Sequence, residues 1–203
     1  MPSSRSPLIA PIRRAAGVGV ALLAIGASPA LAAPPATCEG QLFSQPFTSL
    51  GDSHAYTFVA GSRFGSASEG WTLRNGASVV KAARPDGTTG NVLNLPSGAE
   101  AVSPTVCVTL AYPTARVQVR DVVGSQGVAV AVAYAGTKTS QEPKNVGQVH
   151  GQQRGWTESD PFNVQPQTSG SEEGTRQVQF VFSAGGSTSL FQLFELWIDP
   201  YGR

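Results

Sequence analysis

The sequence predicts an all-β domain, a two-sheet antiparallel sandwich, placed after a cleaved signal peptide. Three observations carry the fold class. Apolar and polar residues alternate over short windows, as half-buried strands require. Turn pairs such as Asp86-Gly87, Ser97-Gly98, Gly124-Ser125 and Gly185-Gly186 separate those windows. No window shows a 3.6-residue period, and charged residues make up only 13% of the 203-residue chain. Amphipathic helices of any length need more charge than that on their outer faces.

The windows follow one another along the chain. Tyr56-Thr57-Phe58-Val59 is the first, then Ala77 to Ala82, Asn91 to Leu95 and Thr105 to Leu110. Arg116-Val117-Gln118-Val119-Arg120 alternates cleanly. Val128, Val130, Val132 and Tyr134 share one face of the next window, with alanines on the other. Gln177 to Phe182 and Leu190 to Ile198 close the series. Eight such strands in about 170 residues imply two packed sheets. Lys138 to Gly155 and Gln165 to Gly174 are polar and poorly patterned, and read as excursions from the core. Trp71 and Trp197 read as core residues.

The first 33 residues set the compartment. Arg5, Arg13 and Arg14 form a basic start, an apolar run follows from Ala15 to Ile25, and Pro29 ends it. Ala30-Leu31-Ala32 then supplies a small-x-small cleavage site. The apolar stretch is about half the roughly 20 residues of a membrane span. Pro35-Ala36-Thr37 before Cys38 is not a lipobox. Arg13-Arg14 resembles a twin-arginine signal, but Ala15-Ala16 lacks the bulky residues that accompany one, so the ordinary secretory route comes first. The reading is a signal peptide over 1–33, one domain over 34–203 and a secreted, extracellular product.

Without the signal, 11 of the 14 Lys and Arg remain against 13 acidic residues. No basic stripe exists to suit nucleic acid, and no charge run suits a membrane surface. Cys38 and Cys107 are the only cysteines. Their spacing is neither a metal nor a redox motif, and in an oxidising compartment they are expected to pair. The closed loop of about 70 residues corresponds to roughly 4 kcal/mol of chain entropy.

Several blocks carry a resemblance. They are Cys38, Gln45-Pro46-Phe47, Tyr56-Thr57-Phe58, Gly61-Ser62-Arg63-Phe64, Gly70-Trp71-Thr72-Leu73 and Gly76-Ala77. Leu93-Asn94-Leu95-Pro96-Ser97-Gly98, Ser103-Pro104, Cys107-Val108 and Trp197-Ile198-Asp199-Pro200-Tyr201 continue the order. The set resembles secreted bacterial proteins with a jelly-roll sandwich similar to carbohydrate-binding modules. That resemblance implies the jelly-roll fold and the Cys38–Cys107 pair. It also implies a structural calcium ion held by an acid just after the early Gly-x-Phe turn and by an acidic pair in the last strand. Here Gly65 follows Phe64, and the last strand reads Leu193-Phe194-Glu195-Leu196, so only Glu195 keeps an acid. The expectation is a degraded site with no cofactor.

Catalytic chemistry has thin support. His54 and His150 show no metal spacing, and no Gly-x-Ser-x-Gly elbow is present. Glu158 and Asp160 are two apart, which on a strand places them on one face about 7 Å apart, within the range of a glycosidase pair. Pro161 favours a turn leading into a strand at Phe162. Sugar sites use exposed aromatic faces. Trp156, preceded by Gln152, Gln153 and Arg154, is the candidate platform, with a buried loop anchor as its competing role. The function read from the sequence is a non-catalytic module for carbohydrate or cell-wall polysaccharide, with Trp156, Gln153 and Arg154 as ligand-binding residues. The alternative is an extracellular structural domain that meets a surface protein. A hydrolase using Glu158 or Asp160 comes third.

Overall fold

The alternating windows become strands, and the computed structural model describes them over residues 41–66, 68–109, 113–124, 126–134, 142–164 and 175–201. The expected signal peptide and Cys38 lie outside the described residues, as does Gln165 to Gly174. The first strands are β1 (Thr57–Phe58), β2 (Thr72–Arg74), β3 (Ser78–Ala83), β4 (Thr89–Pro96) and β5 (Glu100–Val102). β6 (Val106–Thr109), β7 (Thr114–Val123), β8 (Val128–Tyr134) and β9 (Lys144–Val149) follow. The last are β10 (Gln152–Gln153), β11 (Thr157–Glu158), β12 (Phe162–Asn163), β13 (Thr175–Ala184) and β14 (Leu190–Asp199). A single 3-10 turn, Thr48–Leu50, is the only helical element among the described residues. None of their helices is long and apolar enough to cross a membrane.

Two sheets form. The larger runs β10-β7-β14-β4-β3, with β1 beside β14 and with β11 and β12 beside β7. The smaller runs β2-β5-β13-β8-β9, with β6 beside β13. Pairings are antiparallel except β10 on β7, which is parallel. The result is the two-sheet sandwich that the alternation and turns predict, with the jelly-roll fold that the resemblance implies.

The core lies between the sheets. Val117 and Val119 of β7 and Leu193, Leu196 and Ile198 of β14 meet Val128, Val130, Val132, Phe180 and Phe182 of the smaller sheet. A chain of rings runs through it: Phe64 on Trp71 at 5.3 Å, Trp71 on Phe182 at 6.1 Å, and Phe180 on Phe162 at 6.1 Å. Trp71 and Trp197 are both buried, as expected. Trp197, however, lies on the outer face of the larger sheet. There it stacks on Phe58 and joins Phe47 and Tyr56 in a second cluster. Tyr134 is half-buried against the main core.

The reading of Lys138 to Gly155 as an excursion is corrected in part. β9 pairs with β8 from Val128↔Val149 to Val132↔Lys144. It is an edge strand with one neighbour and mostly exposed side chains, so no alternation was needed to make it. β2, β5, β10, β11 and β12 are two or three residues long, too short for a period to show.

The segment before β1 is tied down by a buried ion pair. Arg116 Nη2 lies 2.9 Å from Asp52 Oδ2, and both side chains are 10% exposed. Tyr56 Oη also donates to that oxygen at 2.9 Å, and Arg116 Nη1 donates to the Ser159 carbonyl at 2.8 Å. Burial pushes the Asp52 carboxyl up. The His54 N–H, the Tyr56 hydroxyl and Arg116 outweigh it and hold the group below its ordinary value. Its stabilisation is therefore present above the ordinary carboxylate range and is lost as pH falls. Asp52→Ala is expected to cost about 3 kcal/mol, because Arg116 is left buried without its partner. Urea unfolding at neutral pH measures this, and an unchanged midpoint would contradict it.

Candidate functional site

Residues directly opposed on neighbouring strands point to the same face of a sheet. Core-facing Val117 and Val119 of β7 therefore leave Arg116, Gln118 and Arg120 on the outer face of the larger sheet. The register then builds a polar row across five strands. Gln152 opposes Arg120, Arg120 opposes Gln192, Gln192 opposes Asn94, and Asn94 opposes Ser78. Arg120 donates to Gln192 Oε1, and Gln192 Nε2 donates to Asn94 Oδ1 at 3.3 Å. Burial lowers the affinity of Arg120 for its proton.

One strand-step away the row is Glu158, Gln118 and Phe194. A hollow of about 470 Å³ opens here, lined by Arg63, Arg84, Asp86, Gln118, Phe194 and Glu195 among others. The β3–β4 turn supplies Arg84 and Asp86. Asp86 accepts from the Thr88 amide at 2.9 Å and the Thr88 hydroxyl at 2.7 Å, which fixes the turn and lowers its pKa. Glu195 pairs with Arg63 at 2.9 Å. Phe194 forms an apolar floor, with the Arg84 guanidinium 5.0 Å from its ring centre. Hydrogen-bonding groups around an apolar surface are the composition of a small-molecule site.

The aromatic that the sequence singles out lies next to this region. Trp156 is half-buried. Its indole N–H donates to the Ala83 carbonyl at 2.8 Å, its ring meets Phe194 at 6.3 Å, and Arg120 lies 5.2 Å from its ring centre. These contacts make it the anchor that holds the β10–β11 loop across the outer face to the end of β3. Gln153, the last residue of β10, and Arg154, on that loop, are exposed. Arg154 takes a left-handed conformation, φ +60°, and its amide donates to the Asp121 carbonyl. None of these three lines the hollow.

Glu158 and Asp160 do not share a strand face. β11 ends at Glu158, Asp160 is exposed in the connection, and β12 begins at Phe162. The connection from Ser159 to Pro161 has no regular structure and leads into the strand at Phe162. Glu158 has the most displaced pKa on the outer face, about 7. Burial is the chief cause. Arg116 opposes it, the Glu195 charge adds to it, and a hydrogen bond from Gln118 opposes it. One carboxyl oxygen is buried without a partner. His54 is exposed between Asp52 and Asp199, 3.6 Å from each, and His150 is exposed.

Comparison with known proteins rests on the fold. No protein-family model and no curated protein sequence matches the chain. Among solved structures, the CBM22-1–GH10 modules of a Clostridium thermocellum endo-1,4-beta-D-xylanase, complexed with xylohexaose, match 72% of this chain and 29% of that one. The TM-score is 0.53 at 16% identity. This chain has the β-sandwich fold of carbohydrate-binding modules. The CBM22-1 xylan-binding domain from Paenibacillus barcinonensis matches 70% of this chain and 92% of its own, at 15% identity and a TM-score of 0.47.

The sequence reading missed the hollow because its members come from four separate segments, and no linear motif joins them. The register of β7 on β14 was the one usable signal, since it sets Gln118 beside Phe194. The displaced Glu158 titration gives a test of this geometry. The folded state binds its proton between the ordinary carboxylate range and about pH 7. Stability therefore falls as pH rises through that window. Glu158→Gln removes the charge and keeps the shape. It is expected to raise the melting midpoint by a few degrees at pH 8 and to leave it unchanged at pH 4. An equal effect at both values would show that the carboxyl is not buried as described.

Proposed function

We propose that this protein is a secreted, non-catalytic module that binds carbohydrate on the outer face of its larger sheet. The observation that carries the reading is the hollow over Phe194, where Gln118, Asp86, Arg84 and Glu195 gather polar groups around an apolar floor. Sugars present the same mixture of apolar ring face and hydroxyls. Glu158 and Asp160 are not aligned as a catalytic pair, which supports a binding role over hydrolysis. Xylan is a first ligand to test, because one fold neighbour is the CBM22-1–GH10 part of a xylanase complexed with xylohexaose. Gln153 and Arg154 would add contacts only to a chain that extends past Trp156.

A pull-down with the mature protein on xylan and cell-wall polysaccharides tests this. Gln118→Ala is expected to weaken retention by about tenfold, with little change in midpoint, since one hydrogen bond in a site is worth about 1 kcal/mol or more. Trp156→Ala is expected to lower the midpoint by several degrees because it removes an anchor. No retention on any polysaccharide, or retention unmoved by Gln118→Ala, would sink the reading.

The alternative is an extracellular interaction domain. It is favoured by the exposed rings of Phe43 and Tyr201, 5.5 Å apart, next to Leu42 at 88% exposure. Binding of a surface protein with no polysaccharide retention is the outcome that selects it.

Secretion and the Cys38–Cys107 bond belong to the same proposal. Cys107 is buried in β6. Mass spectrometry of exported protein is expected to find a chain beginning after Ala32 or Ala33 and no free thiol. Two free thiols, or a start before Leu22, would refute it. Replacing both cysteines with Ala is expected to cost roughly 2 to 5 kcal/mol.

A further inference from the structure

The calcium ion implied by the resemblance can be tested against the residues where it would sit. After β1 the chain turns through Gly61 and Phe64, both at positive φ. The turn aims the carbonyls of Arg63, Phe64 and Gly65 toward Arg84 and Asn91. Converging carbonyls beside the carboxylate of Glu195 are the chemistry that holds a hard cation.

The donor set does not fit the ion. Calcium takes six to eight oxygens, but Gly65 brings no carboxylate, and the two acids nearest the turn are spent on other groups: Glu195 on Arg63, and Glu69, beside Gly65, on the Ser66 amide and hydroxyl. Among the described residues, no three His, Cys, Asp or Glu gather to hold a metal. The oxygens are also engaged. Asn91 Nδ2 donates to the Phe64 carbonyl at 2.7 Å and meets that of Gly65 at 3.5 Å. Arg84 Nη2 donates to the Arg63 carbonyl at 3.3 Å, and Arg84 Nε donates to the Asn91 carbonyl at 3.3 Å. Glu195 Oε1 accepts from Arg63 Nε at 2.9 Å.

The backbone has made room for this arginine. A Cβ at Gly90 would lie 2.2 Å from Arg84 Nε and 2.3 Å from its Cζ. Any other residue there would displace the guanidinium. Gly90 is buried on β4, directly opposite Ala82 on β3, so the planar group lies flat over a bare strand. The Phe194 ring is within cation–π reach.

We propose that Arg84, completed by Asn91, stands in for a structural divalent cation and clamps the 61–65 turn to β4. Arg63 makes the matching pair to Glu195 on β14. A guanidinium gives fixed directional donors where an ion gives an undirected charge. The module is then stable without calcium.

The test uses the mature protein. The melting midpoint of the wild type is expected to be the same in excess EDTA and in millimolar calcium chloride, with no heat of binding in a calcium titration. Arg84→Met keeps the stem and removes the donors. Its midpoint is expected to fall by about 4 to 8 °C. Arg84→Lys keeps a charge without the planar fork and should fall between the two. A wild-type midpoint lowered by EDTA, or raised saturably by calcium, would overturn the proposal. So would an Arg84→Met midpoint equal to wild type. If Arg84→Met does not fold, Arg84→Lys and the wild-type calcium measurements decide the matter.

Discussion

A single extra residue in β14 sets the geometry of the outer face. β14 keeps one register with β7 from Phe191↔Asp121 to Phe194↔Gln118, skips Glu195, and resumes at Leu196↔Val117. Glu195 takes φ +48°, and its amide, which is not used in the ladder, donates to the Ser62 carbonyl at 3.0 Å. The bulge lets one edge of β14 serve two partners, β4 before it and β1 after it. It also preserves the alternation, so that Leu193, Leu196 and Ile198 all reach the core. Without the extra residue, every side chain beyond it would change face. Trp197 would enter the core, and the outer cluster with Phe47 and Tyr56 would not form.

The hollow follows from that bulge. Turned out of the ladder, Glu195 meets Arg63, and the strand bend leaves Phe194 as a floor beside Gln118. The two coverings of the face then define its edges. The segment before β1 packs Phe47, Tyr56 and Phe58 around Trp197. At another edge, Trp156 ties its loop to the end of β3. The aromatic residues are mostly used to fasten these covers, and the polar groups between them carry what recognition the face has.

The sandwich was legible in the sequence for a physical reason. Long central strands have one apolar face each, and all eight expected windows carry strands, with β8 matching residue for residue. The two- and three-residue strands β2, β5, β10, β11 and β12 and the polar edge strand β9 were not legible, since so short a strand shows no period and an exposed edge needs little apolar content. Trp156 shows the limit for sites. An exposed platform and a loop anchor both place a tryptophan beside polar residues, and only the position of the Ala83 carbonyl separates them. That carbonyl is 73 residues away in sequence. By sequence spacing Glu158 has only Asp160 as a catalytic partner, a pairing that ranks below a turn at Pro161. Its partners in space are Gln118, Arg116 and Glu195, which lie on other strands.

The way the polar groups are prepared bears on how such a face would bind. Arg120, Gln192 and Asn94 already bond to one another, so less of their conformational freedom remains to be lost when a ligand arrives. Fixing a long polar side chain otherwise costs about 0.5 to 1.5 kcal/mol. Against this, a hydroxyl gains little by breaking a bond that the row already makes. The row therefore acts as a rigid wall. The groups best placed to exchange water for ligand are those at the hollow, Gln118 and Asp86, whose bonds to other residues leave lone pairs or protons over. On the proposed reading, recognition concentrated there with a fixed wall behind it would suit a short stretch of a polymer better than a broad surface, because few groups would change partners on binding.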